Sequence, residues 1–213
     1  MNMSYKSYKS NKSNSLIPPH GGYRKLKSYQ TAEIIYDLTV KFCNNYKSYL
    51  TYKTYEQMTG AARSGKQNIA EASMNSGTSK KIELKLVGIA RGSLEELLLD
   101  FEDFLRQNSL PLWEKSSPKA QKIRALAYKS NKSHKQVCKP CLQTQFTSFA
   151  YKTYSDFLRS EEETANCIIC LIHQANYLLD KQLSSLEQQF LKEGGFTERL
   201  YRSRQKTRKE KKT

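Results

Sequence analysis

The amino-acid sequence predicts an all-α protein. Apolar residues recur at steps of three and four along four long stretches, which is the spacing of one face of an α-helix. Glycine, proline and asparagine interrupt the pattern between these stretches, as they do at helix ends. Of the 213 residues, 38% are apolar, which is enough for one modest core. We therefore expect one helical unit with loosely attached additions.

The first helix is predicted over residues 24–45. Ile35, Leu38 and Phe42 widen its apolar face. The main stripe of that face consists of Leu26, Tyr29, Tyr36, Val40 and Cys43.

The second helix, over residues 52–74, carries small residues where a helix normally places large ones. Its apolar stripe consists of Met58, Ala62, Gly65, Ile69 and Ala72. A glycine inside a helix costs about 0.5–1 kcal/mol relative to alanine. Gly60 and Gly65 therefore predict a partner helix at close range, the alternative being that they are merely tolerated.

The third helix is predicted over residues 79–107, with Pro111 enforcing a break after it. Five carboxylates, Glu95, Glu96, Asp100, Glu102 and Asp103, are interpreted as its solvated face, with Glu102 pairing Arg106 four residues on. Its apolar stripe is read as Ile82, Leu86, Ile89, Ser93, Leu97, Phe101 and Phe104.

A short helix follows over residues 117–127, with Ser117 as its cap and Pro118 in the first turn. Trp113, just before it, is expected to anchor the connection in the core. Residues 128–150 predict an irregular loop.

The last long helix is predicted over residues 160–192. Ser160 and Glu163 form a capping-box pattern at its start, and Gly194 and Gly195 end it. A shorter basic helix is expected over residues 196–209. The apolar face of the long helix, which suits either a core or subunit contacts, consists of Ile168, Leu171, Ile172, Ala175, Leu178 and Leu179.

Several of these blocks together resemble a known family. The blocks are residues 18–43 (PPHGGYRKLKSYQTAEIIYDLTVKFC), 54–72, 89–105 (IARGSLEELLLDFEDFL) and 171–204. They are similar to the bacterial four-helix-bundle proteins, which include proteins encoded by intervening sequences in large-subunit ribosomal RNA genes. The fold is shared with the accessory protein of diversity-generating retroelements. The C-terminal block resembles the suffix domain of one subgroup.

This resemblance implies an antiparallel up-down four-helix bundle. The local patterns add a disordered N-terminal tract, an irregular inserted loop and a basic C-terminal helix and tail. The resemblance also implies a homo-oligomer, a pentamer, and a partner such as a reverse transcriptase with its RNA. The expected organisation is a low-complexity tract at 1–17, three bundle helices and the short helix at 18–127, the loop insertion at 128–150, the last bundle helix and suffix at 151–198, and the basic tail at 199–213.

The net charge of +16 lies mainly at the two ends of the chain. Residues 1–53 carry 9 basic and 2 acidic side chains, and residues 199–213 carry 8 and 1. Cationic ends beside a nearly neutral middle favour a polyanionic partner. The predicted contacts to RNA or DNA are Arg63, Lys66 and Arg91 on bundle helices, together with Arg199, Arg202, Arg204, Lys206, Arg208 and Lys209. A solubilising tail is the alternative interpretation.

A Tyr/Asn-Lys-Ser triplet recurs along the chain, filling residues 1–15 and returning at 46–49 and 128–133. Alternating aromatic and basic residues suit single-stranded nucleic acid, because the rings stack on bases and the lysines pair with phosphates. The alternative is a short repeat that spread through loops, which tolerate insertion. Residues 1–15 are expected to be disordered.

The sequence gives little support for a catalytic site or a metal site. The chain lacks the Glu-x-x-His pairs of a di-metal bundle centre, and it lacks phosphate-binding glycine loops. His173 has no partner at a catalytic spacing. Cys138 and Cys141, with Cys167 and Cys170, form two C-x-x-C pairs, and whether the four share a zinc is left open, since the second pair lies in an apolar helical run. No cofactor is expected.

We therefore expect a non-enzymatic protein that binds nucleic acid or accompanies a ribonucleoprotein. A self-assembling scaffold or protein-interaction module is the alternative. The N-terminus lacks the apolar run of a signal peptide, no stretch has the length of a membrane span, and the five cysteines form no disulfide pattern. A cytoplasmic location is expected on these grounds.

Overall fold

A computed structural model describes residues 17–133 and 153–210, and this part of the chain is helical with no strand. Three short 3-10 turns precede or join the longer helices, at Tyr23–Lys25, Lys47–Tyr49 and Ser155–Phe157. The α-helices are α1 (Lys27–Asn45), α2 (Tyr52–Asn75), α3 (Lys80–Gln107), α4 (Pro118–Ser133), α5 (Glu161–Glu193) and α6 (Phe196–Glu210).

Helices α1 to α5 pack together around one core. Helix α2 lies against both α1 and α3, and α5 lies against α1, α3 and α4. Phe42 of α1 contacts the rings of Phe101 and Phe104 of α3 edge to face, at centroid separations of 5.1 and 4.9 Å. Edge-to-face packing of this kind adds to the free energy of burial. The prediction of an all-α protein is confirmed.

The small-residue stripe of α2 is buried as predicted. Met58, Ala62, Gly65, Ile69 and Ala72 are all in the core. A Cβ built on Gly65 would lie 2.8 Å from Leu94 Cδ2 of α3, so the missing side chain is what permits this contact. Beside it, the Ser64 and Ser93 hydroxyls are 2.9 Å apart.

Gly60 does not share this role, and that part of the prediction is wrong. Gly60 is exposed, and a Cβ added there would meet nothing within 4 Å. Gly60 and Gly65 are five residues apart, which turns them about 140° from each other around the helix at ~3.6 residues per turn. Of the two glycines, only Gly65 therefore faces α3.

The predicted stripe of α3 is confirmed at Ser93, Leu97, Phe101 and Phe104, which are buried, and is wrong at its first half. Ile82 and Ile89 are 46% and 43% exposed, because residues one or two positions away point inward instead. The buried face of α3 contains Val87, Ala90, Leu94, Leu97, Leu98, Phe101, Phe104 and Leu105. Because α3 carries apolar residues on both sides, the sequence pattern did not decide which side faces the core.

The predicted pair on the acidic face of α3 also differs. Arg106 Nη2 lies 2.7 Å from Asp103 Oδ1, three residues away, rather than on Glu102. Glu95 Oε2 accepts a hydrogen bond of 2.8 Å from Asn176 Nδ2 of α5. Glu95 thus contributes to the α3–α5 contact, whereas Glu96 and Asp103 are exposed.

Helix α1 begins three residues later than predicted, at Lys27 after a 3-10 turn, and its Tyr36 and Val40 are only half-buried. Helix α4 continues to Ser133, so the first six residues of the predicted loop are helical. Ser117 caps this helix, accepting a hydrogen bond of 3.2 Å from Ala120 N. The rest of that loop and the N-terminal tract lie outside the described residues.

Helix α5 begins as the capping pattern predicted, with Ser160 Oγ accepting from Glu163 N at 3.2 Å. The Glu163 carboxylate, however, binds Lys119 Nζ of α4 at 2.9 Å. The helix ends at Gly194, whose φ of 72° is readily accessible to glycine. Its predicted apolar face is buried except for half-buried Leu178, so these residues form the internal core.

The connection between α3 and α4 is held on α5 by two polar side chains, those of Asn166 and Glu162. Asn166, 1% exposed, accepts a hydrogen bond from Trp113 N at 2.8 Å and donates one to Pro111 O at 3.0 Å. The Trp113 indole N–H donates to Glu162 Oε1 at 2.8 Å. Trp113 therefore does anchor the connection, although it is half-buried and polar contacts hold it.

Asp37 on α1 is a source of pH-dependent stability. Burial and then the Glu33 charge raise the pKa of its carboxyl group, against the opposing Lys66 charge. Its Oδ2 atom is buried with no hydrogen-bond partner in the described part of the chain. An acid with a raised folded-state pKa opposes folding once ionised.

We expect Asp37→Asn to raise the free energy of unfolding at pH 7 by up to about 1 kcal/mol, since the half-buried carboxylate is partly screened by solvent. Below the pKa that Asp37 has in the unfolded chain, its carboxyl group is neutral in the folded and in the unfolded state alike. The gain in stability should therefore vanish near pH 3 and grow as pH rises. Urea unfolding across this range measures it. Asp156→Asn, at an exposed pair with Arg159, is the control; equal trends in both variants would contradict the assignment.

Candidate nucleic-acid interface

Basic residues from distant parts of the chain meet at one end of the molecule. Gly21 N donates to Ser73 O at 3.0 Å, which holds the segment before α1 on the last turn of α2. Arg199 Nη2 of α6 lies 3.4 Å from Gly77 O in the turn between α2 and α3. Ser28 Oγ at the start of α1 donates to Gln182 Oε1 of α5 at 2.9 Å. These contacts bring together the starts of α1, α3 and α6.

We call this region the basic end. Its cationic side chains outside α6 come from the segment before α1 and from the first turns of α1 and α3. Two acids in the region are already engaged: Glu83 binds Lys80 at 2.8 Å, and Glu198 accepts from Gly195 N at 2.8 Å. Glu187 and Glu193, in the last turns of α5 before α6, are exposed. The cations are Arg24, Lys25, Lys27, Lys80, Lys81 and Arg199.

Helix α6 extends the positive charge. Between Phe196 and Glu210 it carries six basic residues and two acidic ones. Glycine at 194 and 195 separates it from α5, and Arg199 is the half-buried cation that contacts the turn at Gly77. The remaining predicted contacts on this helix are exposed, namely Arg202, Arg204, Lys206, Arg208 and Lys209. Exposed cations can reach phosphate groups without first breaking core contacts.

Aromatic rings accompany these cations. Tyr201 of α6 is 65% exposed, one residue before Arg202. At the start of the chain's described part, the Arg24 guanidinium lies 5.3 Å from the centroid of the half-buried Tyr23 ring. Exposed aromatic rings between cations provide surfaces on which unpaired bases stack. Tyr201 was not among the contacts predicted from the sequence. Neither were the cations at 24–27 and 80–81, although the sequence shows that these residues are basic.

A shallow cleft opens at the same end. It has a volume of about 400 Å³ and lies between the starts of α1 and α3 and the second half of α5. Leu26, Leu178 and Leu186 give it apolar walls, while Lys27 and Lys80 stand at its polar side. The cleft is therefore continuous with the basic end rather than a separate site.

The three cations predicted on bundle helices lie elsewhere and differ from one another. Arg63 is exposed on α2. Lys66 is half-buried, with its Nζ atom 4.2 Å from the centroid of the Tyr36 ring of α1. Arg91 binds Asp180 Oδ1 of α5 at 2.7 Å and lies 3.6 Å from Glu95 Oε2. Lys66 and Arg91 thus already contribute to helix contacts, and they do not join the basic end.

Cysteine and histidine side chains form no cluster in the part of the chain that the structure describes. Cys167 is buried in α5, where burial raises its thiol pKa, and Cys170 is half-buried. A raised pKa disfavours the thiolate that binds metal. Cys138 and Cys141 lie outside the described residues. Within residues 17–133 and 153–210, no group of three or more potential metal ligands occurs.

Among the helices described, none has the length and apolar content needed to cross a membrane. Comparison with models of protein families, with characterised proteins and with solved structures finds no match to this chain.

Proposed function

We propose that this protein binds RNA or DNA through the basic end and α6, without catalysing a reaction. The observation that carries the proposal is the convergence of exposed cations from both ends of the chain on one side of a packed helical body. Phosphate contacts from such cations give affinity that is largely independent of sequence. Exposed Tyr201 favours single strands over duplex, because an unpaired base can stack on its ring.

The body is proposed to be an antiparallel up-down four-helix bundle of α1, α2, α3 and α5, with α4 packed against α5. Support comes from the contacts of each of the four helices with two others in a closed ring. The hydrogen bonds of Gly21 to Ser73 and of Ser28 to Gln182 join the start of α1 to the later parts of α2 and α5, as antiparallel neighbours require. Alternating helix directions produce this arrangement, with short turns joining α1, α2 and α3 and with α4 inserted before α5.

The proposal predicts salt-dependent binding that depends on α6. Labelled single-stranded RNA and DNA would be titrated with the full chain between about 50 and 300 mM salt. Replacing Arg202, Arg204 and Arg208 by glutamine is expected to weaken binding about a hundredfold at ~50 mM salt. The slope of log affinity against log salt should become shallower by about 2, because three phosphate contacts are lost.

A matched control removes the same charge elsewhere. Lys47, Lys53 and Lys115 are exposed; the first two lie around the start of α2 and the third in the α3–α4 connection, at the helix ends away from Gly77. Their replacement by glutamine should leave the affinity within about threefold of the original, since long-range attraction is screened at this salt concentration. Equal losses of affinity in both triple variants would show that the total charge of the protein, and not α6, governs binding. If the unchanged protein binds neither RNA nor DNA, the proposal is rejected. Circular dichroism checks that helicity is retained, as arginine and glutamine have similar helix propensity.

A further inference from the structure

The outward side of α3 carries an apolar and charged surface that no described residue covers. We call this the outer face of α3. Its central apolar residues, Ile82, Ile89 and Leu99, are 46%, 43% and 56% exposed. Helix α3 contacts α2 and α5, and this face points away from both. The remaining members of the face, all exposed, are Lys85, Gly88, Gly92 and Glu96.

Charge is divided along this face in a self-complementary way. Lys85 lies toward the start of α3, and Glu96 lies toward its end. Neither side chain has a hydrogen bond or ion pair with another described residue, in contrast to Arg91 and Glu95 one step around the helix, which bind Asp180 and Asn176 of α5. A parallel copy would place like charges opposite each other. An antiparallel copy would place opposite charges together.

The middle of the face is open to a close approach. A Cβ built on Gly88 or on Gly92 would meet nothing within 4 Å. Backbones can come closer where glycine faces the partner, as Gly65 already allows between α2 and α3 within the chain. Two glycines at the centre, flanked by isoleucine on one side, make a shallow hollow that another helix can fill.

We propose that α3 pairs in an antiparallel manner with α3 of a second copy of this chain. In the register centred between Ala90 and Arg91, Lys85 of each copy faces Glu96 of the other. Ile89 of each copy then lies over Gly92 of the other, and Ile82 lies at the level of Leu99. The contact spans about 26 Å of helix at ~1.5 Å per residue, and the two-fold axis makes every contact occur twice.

Charge exchange tests this register in the absence of nucleic acid, so its result is independent of the basic end. Sedimentation equilibrium at about 50 mM salt should show twice the chain mass of 24.6 kDa. Lys85→Glu or Glu96→Lys alone creates two like-charge contacts and should raise the dimer dissociation constant about tenfold or more. The double variant should recover the original constant, because its pairs are opposite again.

A mixture of the two single variants is the most discriminating test of the antiparallel register. In an antiparallel pair of Lys85→Glu with Glu96→Lys, both facing positions carry opposite charges, so the mixture should dimerise about as tightly as the original chain, whereas each variant alone dimerises more weakly. Lys53→Glu, at an exposed site on α2, is the control and should leave the mass unchanged. A monomer at every concentration, a dimer indifferent to both reversals, or a mixture that fails to restore dimerisation would each overturn the proposal.

Discussion

Replacing Gly65 by leucine is expected to lower the free energy of unfolding by about 3 kcal/mol. Even a Cβ at this position would lie 2.8 and 2.9 Å from Cδ2 and Cγ of Leu94, which is fully buried. The larger side chain must push α2 and α3 apart or force Leu94 out of its rotamer, and overpacking of a filled core typically costs 1–3 kcal/mol. Urea unfolding followed by circular dichroism measures the loss.

The matched control is the other glycine of α2. Gly60 is exposed with nothing near its Cβ position, so Gly60→Leu should stabilise by about 0.5–1 kcal/mol through helix propensity alone. The same chemical change thus has opposite signs five residues apart. In a Leu94→Ala background, the cost of Gly65→Leu should shrink by about 1 kcal/mol or more, because the opposing side chain is gone. Similar losses at both glycines would show that their shared chemistry, not the α2–α3 contact, governs stability.

Replacing Asn166 by leucine is expected to lower the free energy of unfolding by about 2–4 kcal/mol. The change keeps four side-chain heavy atoms branched at Cγ but removes the acceptor of the Trp113 N–H and the donor to Pro111 O. Each partly buried backbone group left without a partner costs about 1–3 kcal/mol. The connection between α3 and α4 should then separate from α5.

The single tryptophan of the chain reports this separation directly. The fluorescence of Trp113 should shift to longer wavelength in folded Asn166→Leu protein as water reaches the ring. Asn68→Leu is the control, because Asn68 bonds only Ser64 within its own helix, α2. The control should change stability by less than about 1 kcal/mol and leave the emission wavelength alone. An unchanged emission spectrum in Asn166→Leu would contradict the anchoring role.

The two proposed surfaces use different parts of the molecule. Nucleic-acid binding depends on the cations of the basic end and α6, whereas self-association depends on the outer face of α3, whose charged pair, Lys85 and Glu96, lies outside the basic end. An antiparallel α3 pair would give the dimer two basic ends that lie at opposite ends of the shared helix pair. Two separated sites on one particle raise apparent affinity for a long strand through effective concentration.

The sequence was sufficient for the position of the helices and for the buried face of α2. The predicted capping signals at Ser117 and Ser160 act through hydrogen bonds to residues three positions away, so the local sequence is enough to identify them. The glycine pair at 194 and 195 ended α5 for the same local reason. The basic helix at the C-terminus followed from its charge pattern and the preceding glycines.

The candidate interface could be predicted only in part from the sequence. The cations of α6 were predicted from the sequence, but their proximity to Arg24, Lys27 and Lys80 depends on contacts between residues far apart in the chain. Lys66 and Arg91 show the opposite case. Both are cations on helices, and whether they meet solvent or a neighbouring helix depends on side-chain partners such as Tyr36 and Asp180.

Local propensity and periodicity determined by themselves that the described chain is helical, where most helices begin and end, and that Gly65 lies on a packed face. Only the tertiary structure decided which side of α3 is buried, that Asn166 holds the α3–α4 connection, and that basic residues from both chain ends share one end of the molecule. The physical reason is that hydrogen bonds within a helix join residues four apart, whereas the direction of a two-sided apolar helix and the neighbours of a charge are set by other helices.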